Sequence, residues 1–501
     1  MYQTLILILS IFICIILLWI RQRKQRMSLF KRYGIPGPKP NFFFGNLIEF
    51  NKERNRCTEE WLKRYGKVYG FYLGGKPFLV CNDIEFLKLI LIKDTYNFCN
   101  RDTLLPNFGF PHDQCKNMLP VLADQKWKNL RRILNTCFTT RKIKMMSTLM
   151  SSPIKVFQEN VEKHGDQPFD ISEMCKKLLF DIVCTSAFGV STNVQNNETN
   201  KFVKSIETAL FADSTDILAG ITICFPEIGP IYTFLQHKID SLKHVLNLPC
   251  LKLIYETCQK IVTSRKKLHS HPPDLLQTLI DAEDETLVEM KKLPDNFVIA
   301  NAMLFMVVAY QTTSSTIRLC IKHLTNNPSI QQKVREEIRN NISSNVDIQY
   351  SDLINFQLLD QVISETLRLS PFPIVSVNRV CAEDYRYKNI TIPKGCTIAI
   401  PIQVLQNDPA YWIEPDKFNP YRFSFEEQQK IDSVIYQPFG AGQRICIAQR
   451  LAKTIMKLVL ANLIRSFKLE EYRDDENNRE HTQLFTYTIN RIMVKATPSD
   501  T

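Results

Sequence analysis

A chain of 501 residues, 45% hydrophobic and 23% charged, can build a large buried core, which excludes a disordered or fibrous protein. Its net charge of +12 suits an anionic membrane surface or an acidic protein partner. No long basic helix with base-reading side chains and no zinc-type spacing accompanies that charge, so no nucleic acid partner is expected. The fifteen cysteines are scattered, odd in number and without a Cys-x-x-Cys pair, which argues for a reducing compartment rather than a disulfide framework.

Residues 1–20 carry no charge, and Leu5 to Ile20 is almost wholly aliphatic or aromatic. A run of ~20 apolar residues matches the hydrocarbon core of a bilayer. Arg21-Gln22-Arg23-Lys24-Gln25-Arg26 follows at once, and positive charge there predicts a single pass with the following domain on the cytoplasmic side. A cleaved signal peptide would carry its basic residues before the apolar run and small residues at its end. Neither is present, so an uncleaved anchor is expected. Gly34-Ile35-Pro36-Gly37-Pro38-Lys39-Pro40 then reads as a stiff spacer, because proline fixes φ and resists helix.

Val68 to Val80 is predicted to be a hairpin turning at Gly74-Gly75. Trp127 and Arg131 are four apart on a helical segment and share a face. Leu218 to Phe234, broken by Pro226 and Pro230, is unusually apolar and suits a membrane-touching surface, a channel roof or buried core equally. Asp295 to Lys322 is a long helical pattern, apolar all round before Ala309, as in a helix buried inside a large protein. Its middle carries Val308-Ala309-Tyr310-Gln311-Thr312-Thr313-Ser314. A buried hydroxyl left unsatisfied costs ~1–3 kcal/mol. Thr312 therefore either bonds back to its own helix or lines a local groove. Glu365 and Arg368, three apart, can pair on one helix face before Pro371 and Pro373 end it. Ile392-Pro393-Lys394-Gly395 reads as the turn of a small hairpin.

The most specific stretch is Phe439-Gly440-Ala441-Gly442-Gln443-Arg444-Ile445-Cys446-Ile447-Ala448, before a predicted helix from Ile447 to Phe467. Two glycines allow a tight turn and a close backbone approach to a flat ligand. Arg444 offers a permanent charge and forked donors to a carboxylate. This stretch resembles the haem-binding signature of the cytochrome P450 family. The third glycine of a dinucleotide loop is missing, and no βαβ unit is evident.

The resemblance covers the chain from the anchor to the last strands. It implies a mainly α fold with small β-sheets, haem b between the long central helix and the cysteine-ligand helix, and a transmembrane helix at the N-terminus. The implied organisation is an anchor over 1–20, a basic and proline-rich linker over 21–45 and a catalytic domain over 46–501. Cys446 is then the thiolate ligand of the iron, shielded by Phe439 and approached through Gly440. Arg444, Trp127 with Arg131, Arg379 and Arg101 match propionate contacts. Glu365, Arg368 and Arg422 match a buried ionic triad that fixes the cysteine loop. Thr312 matches the threonine that assists oxygen activation and proton delivery. Gln311 stands where the family has an acid, and an amide has no usable pKa with which to relay a proton. Ala309 and Ala448 replace glycines, and Gln406 stands where many members have histidine. Phe108, Phe110, Phe305, Val308, Ile374 and Phe485 match pocket-lining positions.

Tyr65-Gly66-Lys67-Val68-Tyr69-Gly70-Phe71-Tyr72 looks most like the microsomal clan of broad-specificity drug oxidases and thromboxane synthases. The implied activity is monooxygenation of a lipophilic substrate with O2 at the endoplasmic reticulum membrane. Electrons would come from an NADPH-cytochrome reductase, with a b-type cytochrome as a further candidate donor. Two alternatives are carried: a haem-thiolate isomerase or dehydratase of lipid peroxides, and a non-catalytic haem- or lipid-binding membrane protein.

Overall fold

The structure, a computed structural model, describes residues 2–102, 113–196, 201–210, 217–267, 274–285, 287, 291–343, 346–371, 377–472, 481–482, 487–488 and 491–499. It is mainly helical, with small sheets at the periphery. The organising element is the central helix, Asp295–Thr325, whose apolar residues face every direction. By length and composition it could cross a bilayer, but 72% of its apolar window is buried in the protein, so it is a core helix. The helices Ile171–Phe188, Leu251–Arg265 and Gln449–Ser466 pack around it.

The expected hairpin forms from Val68–Leu73 and Lys76–Cys81. Gly74 has φ +58°, and a Cβ there would lie 2.2 Å from the carbonyl oxygen of Ile223, so both conformation and crowding demand glycine. Thr397–Ala399 runs parallel to the second strand, and Asn378–Val380 pairs antiparallel with Thr397–Ala399, which places Arg379 on the edge strand of this four-stranded sheet. The small hairpin joins Tyr385–Tyr387 to Ile390–Ile392, so its turn falls at Lys388-Asn389, with Lys388 at φ +50°. The turn expected at Ile392 to Gly395 exists, but it joins two different sheets.

The N-terminal helix does not stop at Ile20. It runs from Tyr2 to Met27, through the basic residues. Its apolar window is wholly exposed. Arg23, only 1% exposed, ends that freedom. Its guanidinium donates to the carbonyls of Phe42 (3.0 Å), Phe43 (2.7 Å) and Cys224 (2.6 Å) and lies over the rings of Trp19 and Phe225. Arg26 pairs with Glu227 at 2.8 Å. One buried cation thus joins the anchor, the segment after the proline spacer and the end of the helix Ile217–Cys224. The apolar stretch from Leu218 to Phe234 divides between fates. Ile223, Cys224 and Tyr232 are buried, whereas Ile221, Ile231 and Phe234 are exposed, as are Leu235 and Leu242 further along Gly229–Val245.

Hydrogen bonds to a charged group contribute about 1.5–3 kcal/mol each. Arg23→Ala should therefore accelerate hydrogen exchange in residues 41–46 and 221–226 by about tenfold or more in a bilayer nanodisc. Exchange in the central helix should not change.

Candidate active site

The loop before Cys446 is closed by its own backbone. The Gly440 N–H donates to Gln437 (2.9 Å), the Ile445 N–H to Gly442 (3.1 Å) and the Cys446 N–H to Phe439 (2.9 Å). Gly440 and Gly442 lie at φ +75° and +68°, and a Cβ on Gly442 would fall 1.8 Å from the carbonyl oxygen of Leu91. The loop is therefore pressed against the segment Leu89–Lys93. Ala448 caps the helix Gln449–Ser466 at φ −95°, an ordinary conformation for alanine, so the missing glycine introduces no strain.

Cys446 keeps accessible surface of its own, yet the surrounding protein encloses it. Burial pushes the thiol pKa up, opposed by the amides of Ala448 and Gln449 and the charges of Arg131 and Arg101.

Four arginines converge here from four parts of the chain. The Arg444 guanidinium lies 3.7 Å from the ring centre of Trp127. Its Nε donates to Cys99 (2.9 Å) and its Nη2 to Leu122 (3.1 Å), but its Nη1 is buried without a partner. Arg101 donates from Nη2 to the Arg444 carbonyl (2.8 Å), and its Nε is likewise buried without a partner. Arg379 is buried and bonds the carbonyls of Asn378 (2.8 Å) and Ala441 (3.0 Å). Arg131 is partly buried on the Trp127 helix, Asp124–Asn135.

Burial, then Arg101 and Arg131, lower the Arg444 pKa to about 9. Burial, reinforced by Arg131, brings Arg101 to about 10, while Arg379 is held well below its usual range by burial, Arg101 and Arg444. Among the described residues no carboxylate forms an ion pair with any of the four. Guanidinium stays charged at neutral pH. Two orphaned buried donors in a field of mutual repulsion fit a dianionic ligand, as the two propionates of haem would be.

Across the core, the central helix opens on one face only. Val308 is 37% exposed and Ala309 and Thr312 are partly exposed, while Val298 to Val307 and Thr313 to Ile321 are buried. These three positions share a face by the i, i+4 rule. Ala309, Phe439, Ile447 and Ala448 pack on the same hydrophobic core. The Thr312 hydroxyl donates to the Val308 carbonyl (2.9 Å), which satisfies its proton and leaves its oxygen free to accept. Gln311 is buried. Phe305 is buried, edge-on to Phe138 with ring centres 5.3 Å apart. Phe108, Phe110, Ile374 and Phe485 lie outside the described residues.

Glu365, Arg368 and Arg422 lie together, with unequal parts in the cluster. Glu365 and Arg368 are fully buried and joined twice, Nε to Oε2 at 2.8 Å and Nη2 to Oε1 at 2.9 Å. Arg422 reaches Oε1 at 3.4 Å from the edge of the cluster, and the Asn419 N–H donates to the same oxygen (2.9 Å). The remaining donors of Arg368 go to the carbonyls of Gln406 (2.8 Å) and Pro415 (2.6 Å), with Trp412 against its flat face at 5.1 Å. The sequence assigned no consequence to Gln406, which the structure buries completely against this cluster.

A fold built on a buried central helix, with an enclosed thiol and a cationic cluster for two carboxylates, is the architecture of a haem protein. The family model "Cytochrome P450" matches residues 35–496, and the chain belongs to the cytochrome P450 family. Cytochrome P450 3A28 of Bos taurus is 31% identical over 478 residues, 94% of this chain and 92% of that protein. Cytochrome P450 3A7 of Homo sapiens is 32% identical over 454 residues, 90% of this chain and 88% of the relative. Lithocholate 6-beta-hydroxylase of Mesocricetus auratus is 32% identical over 482 residues, 94% and 92% of the two chains. The protein is thus a haem b-binding, haem-thiolate monooxygenase.

Three substitutions test this geometry. Gly442→Ala collides with Leu91 and should lower the haem bound per polypeptide, whereas Ala448→Gly should not change it. Arg368→Ala leaves the buried Glu365 carboxylate with only the more distant cation, Arg422, and the Asn419 N–H, and should destabilise the fold by about 3–5 kcal/mol, read by urea unfolding.

Proposed function

We propose that Cys446 would ligate the haem iron and that Arg101, Arg131, Arg379 and Arg444, with Trp127, would hold the propionates. The four-arginine cluster bordering the enclosed thiol is the observation that carries this reading. When bound, haem with a thiolate ligand supplies the capacity to split O2 and transfer one oxygen atom. The Cys446 sulfur, protonated by burial alone, would be ionised as a metal ligand. Gly440 and Gly442 bring the backbone close to the sulfur, where its amides tune the ligand. Phe439 shields it from water. Arg444 and Arg101 offer their unpartnered Nη1 and Nε to the carboxylates, which relieves the repulsion among the arginines.

The face of Val308, Ala309 and Thr312 borders the space where substrate and O2 meet. Thr312 can give up its bond to Val308 and pass a proton across this face. Gln311 is an amide and holds neighbouring groups or water in place without itself relaying a proton.

The substrate is lipophilic. One relative bears the name of a lithocholate hydroxylase, which supports hydroxylation of a lipophilic molecule here. The anchor helix and the exposed Phe43, Phe44, Ile231, Phe234 and Leu235 support attachment to the endoplasmic reticulum membrane. The basic run from Arg21 to Arg26 supports a cytoplasmic catalytic domain. Electrons come from an NADPH-cytochrome reductase, and the net charge of +12 suits its docking to an acidic partner.

Reconstitution with that reductase in lipid should give NADPH- and O2-dependent hydroxylated product from a panel of sterols, fatty acids and drugs. Turnover of a lipid peroxide without reductase, together with no NADPH-dependent hydroxylation when reductase is present, would point instead to isomerase chemistry. Thr312→Ala should lower product formed per NADPH by about tenfold or more while NADPH oxidation continues.

A further inference from the structure

The Cys446 loop must be held against the rest of the core by something other than its own turn. The ion cluster itself sits one layer away: Glu365 and Arg368 bond each other, Asn407, Asn419, Arg422 and backbone carbonyls, but no residue of 437–446. Gln406 spans the gap. It is 0% exposed. Its Nε2 donates to the carbonyls of Leu367 (3.0 Å) and Arg368 (3.1 Å), two of the orphan acceptors at the C-terminal end of the helix Gln357–Leu369. Its Oε1 accepts from the N–H of Gln437 (3.0 Å), itself buried. Its own backbone carbonyl accepts from Arg368 Nη1 (2.8 Å).

From Gln437 the connection runs without a break to the sulfur. The Gln437 carbonyl accepts from the Gly440 N–H (2.9 Å), and Phe439 closes onto the Cys446 N–H (2.9 Å). A second tether runs beside it, from the Tyr436 hydroxyl to the Ser364 carbonyl at 2.9 Å. Only a side chain with both donors and an acceptor can serve the helix end and the loop at once. A primary amide has two N–H donors and a carbonyl oxygen in fixed geometry. An apolar side chain of the same length would leave three buried polar groups unpaired, the Gln437 N–H and two carbonyls.

We propose that Gln406 is a positioning residue that transmits the fixed geometry of the Glu365–Arg368 helix to the Cys446 loop, and so keeps the sulfur within bonding reach of the iron. This rests on the assignment of Cys446 as the axial ligand. The inference concerns ligand geometry, so its signature is the fraction of haem that keeps a thiolate ligand, not activity.

The experiment uses the full-length holoprotein, reduced and exposed to carbon monoxide, and reads the ratio of the thiolate-type red-shifted band to the band of haem without thiolate. Gln406→Met, similar in size and unable to make these bonds, should lower that ratio by about tenfold at unchanged total haem. Gln406→His keeps one donor and one acceptor and should stay within about threefold of the unaltered protein. A Gln406→Met protein with the unaltered ratio, or a Gln406→His protein no better than Gln406→Met, would overturn the proposal. If Gln406→Met gives no folded protein, Gln406→His decides the matter: retention of the band supports the tether, and its loss refutes it. Absence of the red-shifted band from the unaltered protein would instead sink the assignment of Cys446, so the two failures are distinguishable.

Discussion

Four guanidinium groups gathered around the Cys446 loop, two of them acting directly on its thiol, set the terms for the rest of this molecule. Charges of one sign in a low-dielectric interior repel one another strongly. The fold answers part of that repulsion with backbone carbonyls at Cys99, Leu122, Asn378 and Ala441 and with the face of Trp127. It does not answer all of it, because donors on Arg101 and Arg444 stay unpaired. The same residues that would hold the two carboxylates of haem also hold the protein together around it. Arg101 bonds the Arg444 carbonyl and Arg379 bonds Ala441, both within the cysteine loop. Cofactor binding and the placement of the sulfur are thereby one event.

A second, dry layer stands behind this charged one. Glu365 and Arg368 form a doubly hydrogen-bonded pair with no exposure to solvent. Such a pair adds little net stability over an apolar substitute, but losing one member is severe. Its value here is positional. It fixes the end of a helix, the carbonyls of Gln406 and Pro415 and the turn at Asn419, and those in turn bear on the loop. Between Val298 and Ile321 the central helix completes the arrangement by being buried except along Val308, Ala309 and Thr312.

Features encoded by short spacings were readable from the chain alone. Trp127 and Arg131 at four apart, Glu365 and Arg368 at three apart and the glycine turn before Cys446 each state their geometry locally, and the structure places them accordingly. The hairpin at Gly74 was readable for the same reason. What escaped depends on partners far along the chain. Arg23 reads as one more basic residue flanking a membrane span, because its acceptor at Cys224 is 201 residues away. Gln406 reads as a departure from a pattern, because its bonds join Leu367, Arg368 and Gln437 only once the chain has folded. The small hairpin was misplaced because Lys388 takes a positive φ that its identity does not advertise, while Pro393 and Gly395 advertise a turn that serves another purpose.

The arrangement around the cysteine loop turns on a bond between the sulfur at position 446 and iron. Iron-edge X-ray absorption of the purified holoprotein measures it without reference to turnover. The account requires a sulfur scatterer bonded to iron in the unaltered protein. In Cys446→Ser, with the other cysteines intact, a lighter atom should stand in its place. Sulfur persisting in Cys446→Ser, or missing from the unaltered protein, would contradict it.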